Sequence, residues 1–111
     1  MRVYGRHVAC LGGLAWFVCA VALAAPPVVH VKIVKQAFVP QQLAVPANEK
    51  VKLLVHNVDS MPAEFESYEL SREVIVPGHA TVAVFVGPLK PGDYAFFNDF
   101  HPSSKGTVVA K

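Results

Sequence analysis

The chain has 111 residues, 53% of them hydrophobic, with ten Lys and Arg against eight Asp and Glu. That is the size of one domain with a modest core, and without a basic stripe it lacks the electrostatic footprint of a nucleic-acid binder. The two cysteines, Cys10 and Cys19, both lie near the start, so residues 25–111 have no thiol and no disulfide to staple them.

The first residues have a distinct character. Arg2, Arg6 and His7 precede an uncharged stretch from Val8 to Ala24 that closes on Ala22-Leu23-Ala24. A positive start, an apolar run and a small-x-small ending form the pattern of a secretory signal peptide. Residues 1–24 are therefore predicted to be a cleaved leader, and residues 25–111 a domain exported to the periplasm with no membrane span after cleavage. An uncleaved anchor is the alternative, since the apolar run of about 17 residues is near the low end for crossing a bilayer. Pro26-Pro27, directly after the small residues, favours cleavage, and the bulky Val18 before Cys19 argues against a lipid anchor. Cleavage removes Arg2 and Arg6 and leaves eight residues of each sign, so the basic excess belongs to the leader.

From Val28 onward the chain is written in short alternating runs. Val28–Lys35 sets Val29, Val31 and Ile33 against His30 and Lys32, and Lys50–Asn57 sets Val51, Leu53 and Val55 against Lys52, Leu54 and His56. Period-two alternation of β-branched and aromatic residues is the signal of a half-buried strand. Glu73–Val76, Ala80–Val86, Asp93–Asn98 and Thr107–Ala110 continue it, while Glu64–Arg72 reads mostly as loop with a short strand. Pro40, Pro46, Pro62, Pro77-Gly78 and Pro91-Gly92 punctuate the runs, because proline withholds a donor and stops ladders. The expected fold is all-β, a Greek-key sandwich of about seven strands. Tyr94, just after Pro91-Gly92-Asp93, is placed to bond its hydroxyl back to the turn as a tyrosine corner.

The ordered set Phe38-Val39-Pro40, Val45-Pro46-Ala47-Asn48-Glu49, the strand ending His56-Asn57, Pro91-Gly92-Asp93-Tyr94 and His101 before Gly106-Thr107-Val108-Val109 resembles the cupredoxin-like domain family, in particular its EfeO-type branch. The runs Glu64-Phe65-Glu66-Ser67 and Phe96-Phe97-Asn98-Asp99-Phe100-His101-Pro102 are similar to the periplasmic cupredoxin-like subunits of bacterial ferrous-iron uptake systems. The resemblance implies a cupredoxin-like fold over residues 25–111. It also implies an accessory role in handling or oxidising Fe(II), beside a periplasmic iron- or copper-binding protein and an inner-membrane iron permease. In copper-binding members a Cys, two His and a Met hold the metal. By this resemblance Glu64 stands in place of the first His, Asn98 near the Cys and Ser104 near the Met, and His101 alone matches. A type 1 blue-copper site depends on a thiolate and cannot form here.

The implied ligand set is His101, Glu64, Glu66 and Asp99, with Met61 a lesser candidate, on two loops expected to meet at one end of the sandwich. Imidazole with carboxylates suits iron or copper(II) rather than Cu(I), which wants sulfur. The plainer readings stand beside this one: an acidic run in a loop is usually solvated, Asp99 can form an Asx-turn, and His30, His56 and His79 read as surface residues. A ferroxidase-type accessory activity is compatible with the ligand set, whereas a hydrolase is not favoured, there being no Gly-x-Ser-x-Gly elbow. The rival reading is a metal-free interaction module that docks through its loops or through Phe97 and Phe100.

Overall fold

The computed structural model describes residues 15–18 and 24–111, and the expected leader lies almost wholly outside them. Nine strands follow in order: β1 Val28–Val34, β2 Ala37–Val39, β3 Gln42–Val45, β4 Val51–Asn57, β5 Ala63–Ser67, β6 Arg72–Val76, β7 Thr81–Val86, β8 Gly92–Asn98 and β9 His101–Ala110. They form a smaller sheet in the order β2-β1-β4-β7 and a larger one in the order β3-β9-β8-β5-β6. The all-β sandwich expected from the alternation is present, with nine strands in place of about seven. The two added strands are the short β2 and β3 around Pro40, and β5 is the short strand expected within Glu64–Arg72. No helix among the described residues is long and apolar enough to cross a membrane.

The alternation decides the core. Val31 and Ile33 of β1, Val51, Leu53 and Val55 of β4, and Val84 and Val86 of β7 are buried, while the residues between them face outward or lie partly covered. From the larger sheet Leu43, Phe65, Phe96 and Val108 meet them. Phe38, Phe65 and Phe96 form an aromatic centre, with Phe38 edge-on to Phe96 at 4.8 Å between centroids and Phe65 stacked on Phe96 at 4.9 Å. Such geometry contributes beyond area burial, because ring edges are positive and faces negative.

Two polar devices fix the turns. Lys35 and Gln36, between β1 and β2, adopt positive φ of 50° and 68°, an unfavourable region for side-chain-bearing residues. Both amides donate to the Asp59 carboxylate at 2.8 Å, and the Asp59 amide in turn donates to the Asn57 side chain. At the far end the Tyr94 hydroxyl donates to the Lys90 carbonyl at 2.8 Å, which is the tyrosine corner expected from its place after the Pro91-Gly92 turn.

Gly106 in β9 lies under the Phe96 ring, where an added Cβ would sit 2.3 Å from a ring carbon and 2.8 Å from the Gln41 carbonyl. Overpacking of this kind costs roughly 1–3 kcal/mol, and here neither the central ring nor the backbone can yield. Gly106→Ala is therefore expected to lower the denaturation midpoint by that order in a urea melt. Ala44→Gly, on the exposed side of β3, serves as the control and shifts it less.

Candidate metal centre

Strand pairing places the acidic residues. Phe65 lies opposite Asn98 and Glu66 opposite Phe97 where β5 meets β8, and Glu66 lies opposite Glu73 where β5 meets β6. Directly opposed residues share a face of the sheet. Phe65 and Asn98 are buried toward the core, so Glu64, Glu66 and Glu73 lie on the outer face with Phe97. Glu64 and Glu66 thus project from a strand, and the two acidic loops expected at the end of the sandwich are not what assembles them.

Asp99 completes the group from the turn between β8 and β9, its amide donating to the Glu64 carbonyl at 3.3 Å. Glu64, Glu66 and Asp99 each offer a carboxylate oxygen, and these atoms lie within 4.8 Å of one another. Glu64 is only 5% exposed. Its Oε1 is buried and has no hydrogen-bond partner. An orphaned buried carboxylate oxygen is costly unless something positive reaches it, either a proton or a cation.

The electrostatics agree with this geometry. Burial, a hydrogen bond shared with Glu73, and the charges of Glu73, Asp99 and Glu66 push the Glu64 carboxyl up to about 7. Desolvation and the charges of Asp99 and Glu73 raise Glu66 as well. Like charges crowded in low dielectric cannot all ionise cheaply, so without a cation Glu64 keeps its proton to higher pH than an isolated carboxylate does.

Asn98 explains why the group is held in place. Its Oδ1 accepts the Glu64 amide at 3.0 Å and the Phe100 amide at 3.1 Å, and its Nδ2 donates to the Gln36 carbonyl at 3.3 Å. The side chain at the expected thiolate position is thus spent on three backbone groups from three segments. Asn98, Ser104 and His101 do not fit a blue-copper ion, for want of a thiolate and because these polar groups are engaged with one another or with the backbone.

The sequence-derived ligands separate into two sets. Glu64, Glu66 and Asp99 come together. His101 is exposed, and its Nδ1 lies 3.1 Å from both the Ser104 and Ser103 hydroxyls. It contributes no atom to the carboxylate cluster. The reason is parity: Glu64 sits one residue away from the inward-facing register that Asn98 shares with Phe65. Met61 is 63% exposed in the loop after β4. His30 and His79 are exposed, and half-buried His56 places its Nδ1 2.7 Å from the Thr81 hydroxyl. Glu73, one of the acidic run but not among the expected ligands, is brought against Glu64 by the β5–β6 hairpin.

The model of the cupredoxin-like domain matches residues 7–110 of the chain. The chain belongs to the cupredoxin-like domain family. An uncharacterized protein of Rickettsia prowazekii (strain Madrid E) is 44% identical over 82 residues, which are 73% of this chain and 66% of that protein, so the match spans just under two thirds of the relative's length. Among solved structures, the metal-binding domain of the Streptococcus pneumoniae D39 Cu(I)-exporting P-type ATPase CopA, with Cu(I), superposes with a TM-score of 0.67 at 10% identity, covering 76% of this chain and 84% of that one. Amicyanin from Paracoccus versutus gives 0.60 at 21% identity, covering 81% and 86%. A purple cupredoxin from Nitrosopumilus maritimus gives 0.55 at 18%, covering 74% and 98%. At these identities the likeness is one of fold.

Two outcomes follow for this cupredoxin-like domain. Asn98→Ala orphans the buried Glu64 amide and is expected to cost about 2–3 kcal/mol, measured by chemical denaturation. For the metal-free protein the pH dependence has a definite sign. Glu64 is raised from 4.5 to about 7 on folding, so the folded state holds more protons between those values. Stability is then greatest at and below pH 4.5 as far as this group decides it, and is lost as pH rises through 7. Thermal melts should show a falling midpoint over that window, and Glu64→Gln should flatten the slope.

Proposed function

We propose that this cupredoxin-like protein binds one hard transition-metal ion on the outer face of its larger sheet, through Glu64, Glu66 and Asp99, with Glu73 close by. The observation that carries the reading is the buried, unpartnered Glu64 oxygen set among carboxylates whose oxygens lie within 4.8 Å. An all-oxygen, anionic set suits iron or manganese and is poor for Cu(I). Hard anionic ligands stabilise Fe(III) relative to Fe(II), and so favour release of an electron from bound ferrous iron to an acceptor such as dioxygen or a copper centre on a partner. Water would complete the coordination.

The wider role is an accessory to ferrous-iron uptake, with the domain exported to the periplasm after loss of residues 1–24. There it would handle or oxidise Fe(II) beside a periplasmic iron- or copper-binding protein and an inner-membrane iron permease. Three features support this reading: the leader-like first residues, the family to which the chain belongs, and a ligand set that has exchanged soft donors for hard ones. The metal-free interaction module is the second reading, favoured by the exposed aromatic residues near the cluster.

Anaerobic titration with Fe(II), and separately with Mn(II), followed by calorimetry, tests the site. One equivalent should bind to the wild type. Glu64→Gln and Asp99→Asn should each weaken binding at least tenfold, and His101→Ala should leave it within a factor of two. An unchanged affinity in Glu64→Gln, or no stoichiometric binding by the wild type, would exclude the carboxylate site. Dependence on His101 alone would move the site to the end of the sandwich.

A further inference from the structure

Beside the carboxylates the larger sheet opens. β5 pairs with β8 only at Phe65–Asn98 and Glu66–Phe97. Below that the Ser67 hydroxyl donates to the Ala95 carbonyl at 2.6 Å, and the Glu69 carboxylate accepts the Ala95 amide at 2.9 Å. Side chains replace the ladder, and the chain turns away through Tyr68–Ser71 to β6. The gap is a groove of about 250 Å³ lined by Tyr68, Glu69, Ala95, Phe96, Phe97 and Lys105. Tyr68 is 77% exposed and lies tilted against Phe97 at 5.5 Å between centroids. Large aromatic surface left in water beside a preformed hollow marks an interaction site more often than chance.

The surroundings say what would fill it. Glu66 and Glu73 border the adjoining hollow with Tyr68, and Asp99 and Glu64 lie against Glu66. Five carboxylates, those of Glu64, Glu66, Glu69, Glu73 and Asp99, thus stand near the groove. Arg72, the nearby cation of β6, is turned onto the carbonyls of Phe85, Leu70 and Ser71. Lys105 is the remaining positive group on the lining.

We infer that this groove docks a partner protein segment in which an apolar or aromatic side chain is flanked by lysine or arginine. The apolar side chain packs over Ala95 beside the Tyr68–Phe97 pair, and the flanking cations meet Glu66 and Glu73. Complementary charge steers such an encounter, while the buried anchor holds it. One consequence rests on the metal reading above. A bound ion and the partner's cations draw on the same carboxylates, so each weakens the other by the same factor.

The probe is a pentapeptide of four lysines around a central tryptophan, added to the metal-free protein and followed by amide chemical shifts. Saturable shifts at Tyr68, Ala95 and Phe97 are expected, with none from the same peptide carrying glutamates in place of lysines. Tyr68→Ser, at a position exposed enough to leave the fold intact, should weaken binding at least fivefold while metal affinity stays unchanged. Glu73→Gln should weaken it and reduce its salt dependence. No saturable shift, equal binding of the acidic peptide, or shifts confined to the smaller sheet would overturn the docking site. Peptide affinity unaltered by Mn(II), in a protein shown by calorimetry to bind Mn(II), would overturn the antagonism alone. Absence of Mn(II) binding itself would instead count against the metal reading.

Discussion

The pairing of Phe65 with Asn98 across β5 and β8 is the contact on which the site depends. It sets the parity of both strands at once. Phe65 enters the aromatic centre with Phe38 and Phe96, and Asn98 turns inward to bind the backbone of three segments. What remains for the other face is Glu64, Glu66, Phe97 and, through the next hairpin, Glu73. A slip of one residue would bury two glutamates in the core and expose Phe65. The core therefore holds the carboxylates together against their mutual repulsion.

That arrangement costs stability, because like charges are crowded where one of them is buried. Burial and the neighbouring charges of Glu73, Asp99 and Glu66 raise the proton affinity of Glu64. On the proposed reading a cation would supply the missing charge, and the cost of assembling the carboxylates would become binding energy for it. Asn98 acts as a structural clamp and His101 sits among serine hydroxyls, with no thiolate beside them for a blue-copper centre.

The opening of the larger sheet below Ser67 belongs to the same economy of contacts. The β5–β8 ladder is short, and the side chains of Ser67 and Glu69 satisfy the Ala95 backbone beyond it. The hollow left behind adjoins the acidic group, so an ion site and a docking groove would share one face. Such proximity would let a partner sense whether an ion is bound without any rearrangement of the sheets.

Much of this was legible in the residues. Period-two alternation around Val31, Leu53 and Val84 is a property of neighbouring positions and needs no partner strand to be read, and the Pro91-Gly92 turn ahead of Tyr94 announces its corner. The absence of a thiol after Cys19 excludes blue copper by composition alone. The acidic character of Glu64, Glu66 and Asp99 was equally visible. Which of them meet was not, because that depends on a register between β5 and β8, more than thirty residues apart in the chain, as the bond from the Glu64 amide to Asn98 illustrates. A short strand within Glu64–Arg72 could be expected from the residues, but its partners β6 and β8 could not. Tertiary structure therefore decided that Glu73 joins the cluster and His101 stays out of it: side-chain direction in a sheet is set by hydrogen-bonded partners, and those partners are not adjacent in the sequence.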